Sequence, residues 1–126
     1  MSIFFSKLLR VESEYRVRVS LQDNESGELL PGSCFGVMVD ISEGGACLVL
    51  TRMLLEGRHL FFSTLDKELN RLVLLIENPE SRDETFVIHA RSVWMDSCRY
   101  QNTDAFKIGL CFHDNQKELF QLFKKN

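Results

Sequence analysis

Apolar and polar residues alternate most cleanly over residues 14–21. Tyr15, Val17, Val19 and Leu21 share one parity, and Arg16, Arg18 and Ser20 share the other. A period of two predicts a half-buried strand with a basic outer face. Residues 23–32 follow as a polar loop punctuated by Ser26-Gly27 and Pro31-Gly32. Apolar runs at 34–41 and 46–50 predict two more strands around a glycine turn, and another strand is expected to open at Gly57 and run over 59–62. Residues 64–71 read as a helical turn or two, with Leu65 and Leu69 four apart, and 72–76 as a buried strand. A hairpin with a long loop fits that stretch almost as well. Residues 78–84 read as a loop, 85–94 as a long strand, 96–104 as a polar turn, and 106–112 as the last strand. Asn115-x-x-Glu118 is a capping-box pattern before Leu119, Phe120, Leu122 and Phe123, so the chain is expected to end in an amphipathic helix.

These elements predict a mainly β fold: six or seven antiparallel strands, mostly meandering, closed into a barrel that the terminal helix plugs. Closure removes exposed strand edges. Residues 1–10 read as an arm or short helix, with Phe4 and Leu8 on one side. Residues 11–126 read as the barrel domain. A length of 126 residues gives one domain, burying roughly two-thirds of its unfolded surface.

Charge and cysteine content narrow the function. A formal net charge of -3 argues against a general DNA binder. It leaves room for a local basic patch that holds a small phosphate ligand. Cys34, Cys47, Cys98 and Cys111 show no C-x-x-C spacing, and His59, His89 and His113 are scattered. No metal site is expected, and the thiols read as reduced, structural groups of a cytoplasmic protein. No apolar run is long enough to span a membrane. Enzyme signatures are absent too. Ser42-Glu43-Gly44 contains Ser-x-Gly, but Asp40 stands where a nucleophile elbow needs glycine.

The candidate chemistry lies at Asp40-Ile41-Ser42-Glu43-Gly44-Gly45. Asp40 and Ser42 are two apart and would point to one face of a strand. Gly44 and Gly45 can supply the positive φ of a tight turn. Asp40-x-Ser42-x-x-Gly45 resembles the D/N-x-S-x-x-G signature of PilZ domains, bacterial receptors for cyclic di-GMP. Phe106-Lys107-Ile108-Gly109-Leu110-Cys111-Phe112 is similar to that family's last strand. The two motifs occur in the family's order, and the similarity runs from about Val11 to the C-terminus.

The resemblance implies a PilZ-type barrel, no catalysis, no cofactor, and cyclic di-GMP as ligand. It implies ligand contacts from Asp40, Ser42 and Gly45, and from arginines before and on the first strand. Here those are Arg10, Arg16 and Arg18. The family's R-x-x-x-R spacing is not kept, because Glu12 precedes Arg16 by four and Glu14 precedes Arg18 by four. A carboxylate in such a place repels a phosphate by about 2 kcal/mol at ~8 Å and an effective dielectric near 20. Two functions follow: a module that binds cyclic di-GMP and relays it to a protein effector, or a degenerate domain that serves only as a protein adaptor. Either fits a monomer or a homodimer.

Overall fold

The computed structural model describes residues 11–65 and 69–125. The arm or helix expected over residues 1–10, Arg10 included, lies outside them, as does part of the helical turn expected over 64–71. The strands are β1 (Val11–Asp23), β2 (Cys34–Ile41), β3 (Gly45–Leu50), β4 (Leu54–Leu55), β5 (Arg58–His59), β6 (Asn70–Asn78), β7 (Ser81–Tyr100) and β8 (Thr103–Phe112). A helix, α1 (Lys117–Lys125), follows. Six strands close into an antiparallel barrel in the order β1-β2-β3-β8-β7-β6, and β4 and β5 form a separate ribbon.

The alternation on β1 decides the core. Val17, Val19 and Leu21 are buried inside the barrel together with Met38, Leu48, Leu74, Ile88 and Ile108. Leu119, Phe120 and Phe123 of α1 join the same cluster. Burying each such side chain contributes roughly 1.5–3 kcal/mol. Phe123 meets the Tyr15 ring edge-on, with centroids 5.1 Å apart. The terminal helix therefore plugs the barrel.

Several local expectations give way to side-chain hydrogen bonds and turn chemistry. The strand expected over 59–62 stops at His59. There, the His59 Nδ1 accepts the backbone N–H groups of Phe61 and Phe62 at 3.2 and 3.0 Å. Those bonds pull the chain into a 3₁₀ turn at Phe62–Thr64. Asn70 and Arg71, expected in a helical turn, already belong to β6. Ser81–Glu84, expected as loop, is strand, because Asn78 Oδ1 accepts the Glu80 N–H and tightens the reversal. In the polar stretch 96–104 the turn narrows to Gln101 and Asn102, and the rest is strand. Gln101 and Asn102 carry φ of 51° and 63°, the requirement of a two-residue hairpin turn, so β7 and β8 pair out to Tyr100 and Thr103. Asn115 does not act as a capping residue: its Nδ2 donates to Glu43 Oε1, and the first helical bond runs from Phe120 N–H to the Gln116 carbonyl.

Candidate functional site

The site builds up from the outer face of β1. Its exposed residues are Glu12, Glu14, Arg16 and Arg18. Across on β2, Arg18 faces Phe35 and Arg16 faces Val37. Phe35 is 44% exposed, large for a phenylalanine. Both guanidinium groups settle on its ring, Arg16 at 3.7 Å from the centroid and Arg18 at 4.8 Å. Cation–π contacts of this kind are worth about 0.5–1 kcal/mol each at exposed sites. Arg18 also donates to Ser33 Oγ at 3.0 Å. The row continues in register from Phe35 through Arg18 to Leu75 and Val87. Beside it lies a groove of about 340 Å³ lined by Arg16, Arg18, Phe35, Leu75, Glu77 and Thr85.

On the other flank of Arg16, a groove of about 280 Å³ runs under the β7–β8 hairpin tip. The Tyr100 hydroxyl donates to Glu14 Oε2 at 2.7 Å. That bond to Glu14 pushes the Tyr100 phenol up from its ordinary value.

The Asp40 end is built differently. The β2–β3 ladder carries an extra residue at Val39, between the Met38 and Asp40 pairings. The bulge turns Ile41 inward and puts Asp40 opposite Glu12 on β1 and Cys47 on β3. Asp40 thus stands three residues from Val37, roughly 10 Å along the strand from the arginine row. Ser42 is 2% exposed. Its N–H donates to the Gly45 carbonyl at 2.8 Å, and its Oγ accepts the Gly45 N–H at 3.2 Å. The turn is further fastened to the chain's end, since Gly44 O accepts from Phe112 N and Glu43 O from Gln116 N, both at 2.8 Å. Positive φ was expected at Gly44 and Gly45. Among the described glycines it occurs instead at Gly27, Gly32 and Gly57. The Ser42 hydroxyl closes the turn instead.

The structure thus brings Arg16 and Arg18 together, keeps Asp40 on the same outer surface but at a distance, and commits Ser42 and Gly45 to the turn. Three further residues on this surface were not anticipated: Phe35, Glu77 and Trp94. Trp94 pairs with Gly109, which pairs with Cys47. A Cβ at Gly109 would run into the Trp94 indole, so only glycine lets the ring lie there. A glycine inside a strand is the available signal for such a close approach. Phe35 offers no sequence signal of its own, because its partners depend on strand register.

The described residues thus form a barrel closed by its terminal helix, with an arginine–aromatic surface beside an open groove. The family model for the PilZ domain matches residues 7–125, and the chain belongs to that family of receptor and adaptor modules. Among solved structures, it resembles K. pneumonia MrkH in its apo state, with 16% identity, 95% of this chain and 48% of that one covered, and a TM-score of 0.55. It resembles the PilZ domain of Escherichia coli YcgR with c-di-GMP at 10% identity, covering 92% and 83%, TM-score 0.55. It also resembles the Bacillus subtilis inhibitor of motility MotI/DgrA at 21% identity, covering 93% and 48%, TM-score 0.52. The chain spans about half the length of MrkH and MotI. Identities this low speak for the fold. Among curated proteins there is no match. No helix among the described residues is long and apolar enough to cross a membrane.

Proposed function

We propose that this chain is a cytoplasmic signalling module that binds cyclic di-GMP on the outer face of β1 and β2 and passes its occupancy to a protein effector. The observation that carries this reading is the gathering of Arg16 and Arg18 on Phe35 beside an open groove. A dianionic dinucleotide needs guanidinium groups that fork onto phosphate and stack on bases. Family membership and the solved complexes of YcgR and of Borreliella burgdorferi PlzA with c-di-GMP favour that ligand. In this reading Arg16 and Arg18 meet phosphate and base, Arg10 adds charge from the preceding segment, and Asp40 accepts guanine N–H groups. Ser42 and Gly45 hold the turn that sets Asp40.

Calorimetry with cyclic di-GMP tests it. Binding heat and a raised unfolding temperature at about 100 µM nucleotide are expected, because a bound ligand stabilises the folded state. Absence of both in the wild-type protein removes the reading.

The second reading, an adaptor that needs no nucleotide, draws on Glu12 facing Asp40 and on Glu14 held over the same surface by Tyr100. A partner recovered equally with and without cyclic di-GMP would favour it. A partner recovered only with the nucleotide would refute it.

A further inference from the structure

The groove between β1, β6 and β7 has a wall, a floor and an edge of different chemistry. Its wall is the Arg16 guanidinium. Phe35 covers one face of that planar group at 3.7 Å. Arg16 is exposed and lines the groove, so a second flat ring can reach its guanidinium from the groove. Leu75, on the outer row with Arg18, supplies an apolar floor. Glu77 and Thr85, a register pair on β6 and β7, supply the edge. The Glu77 position is held, because Tyr15 donates its hydroxyl to the Glu77 carbonyl at 2.8 Å.

We propose that this groove is a guanine subsite: one base stacks on Arg16 over Phe35, and the Glu77 carboxylate reads its edge. The inference rests on the cyclic di-GMP reading above and adds the residues that select the base. An exposed carboxylate is a poor neighbour for a phosphate, so its presence in a nucleotide groove asks for a compensating donor. Guanine offers two adjacent donors, N1–H and the exocyclic N2–H, matched to the two oxygens of a carboxylate. Adenine places an unprotonated N1 there, which a carboxylate repels. Phe35 acts as a positioning residue, fixing the plane of Arg16 so that the stack is formed before the ligand arrives.

The test compares cyclic di-GMP with cyclic di-AMP on the wild-type protein, Phe35→Leu and Glu77→Gln. The two ligands carry the same phosphates, so their affinity ratio reads the base alone. Wild type is expected to favour the guanine ligand by about 10- to 100-fold, the range for a bidentate base contact. Glu77→Gln is expected to shrink that ratio about tenfold. The ratio is the readout, because removing a carboxylate favours both dianions alike. Phe35→Leu is expected to weaken cyclic di-GMP about tenfold through the lost stack. Both side chains lie on the surface, and thermal unfolding of each variant checks that the barrel is intact. Cyclic di-GMP binding with an unchanged ratio in Glu77→Gln and unchanged affinity in Phe35→Leu would overturn the subsite and leave the functional reading standing. No binding to the wild-type protein removes both.

Discussion

The two ends of the β1–β2 surface use polar residues in opposite ways. At the turn, the Ser42 hydroxyl and the backbone of Glu43, Gly44 and Gly45 are engaged with one another, with the end of β8 at Phe112 and with Gln116 just before α1. On the strand face, Arg16 and Arg18 rest on an exposed aromatic ring beside a groove. The first end is a fastening and the second a surface with chemistry to offer. A signature motif can thus mark a family through the structure it builds, while the positive charge that the proposed ligand would need sits elsewhere on the surface.

Substitutions at the two ends break this comparison most sharply. Arg16→Ala is expected to leave the unfolding temperature near that of wild type and to cut cyclic di-GMP affinity about 30-fold or more, since hydrogen bonds to charged groups are worth about 1.5–3 kcal/mol. Calorimetry of the variant against wild type reads the loss. Ser42→Ala reverses the pattern. It leaves the buried Gly45 N–H without its side-chain acceptor and should cost about 1–2 kcal/mol of stability, seen as a lower denaturant midpoint. Its effect on affinity should be secondary. Equal effects of the two variants on both quantities would erase the distinction.

Glu14→Gln sharpens the electrostatic side. Glu14 adds negative charge to the arginine face, and neutralising it should raise affinity about 2- to 10-fold, with the gain fading as salt rises. A gain that ignores salt would mean the carboxylate acts through Tyr100 and the hairpin instead.

The smallest effect concerns pH. Burial holds the His59 imidazole below its ordinary value, and its Nδ1 accepts two backbone N–H bonds. The folded state therefore resists a proton that the unfolded state takes up. Stability is full above the unfolded value of about 6.5 and declines as pH falls below it, towards the lower folded value. His59→Asn, which keeps an acceptor but does not titrate, should reduce the slope of unfolding temperature against pH between about 7.5 and 5.5, leaving the part that comes from the His113 imidazole, which burial also holds low. An unaltered slope would place the dependence on other groups.

Much of the barrel was legible because its physics is local. Val17, Val19 and Leu21 alternate, and so they read directly as one buried face. The Asp40–Gly45 motif and the last strand pointed to the family that the comparison shows. The hairpin at Gln101-Asn102 was missed because a run of polar residues looks like a loop until its pairing partner, residues 103–106, is known. The missing 59–62 strand turned on one histidine capping its own chain. The site was legible only in part. Arg16 and Arg18 stood out as charges on a strand, but Phe35, Glu77 and Trp94 reach the surface through register and a bulge. No local pattern encodes which residue of β2 or β6 lies beside Arg16.

The most direct test follows the arginine side chains themselves during a titration. In NMR spectra of the arginine Nε–H groups, cyclic di-GMP should shift the Arg16 and Arg18 signals together, saturating with the affinity measured by calorimetry. Shifts confined to residues 40–45, with both arginine signals unmoved at saturation, would contradict the account.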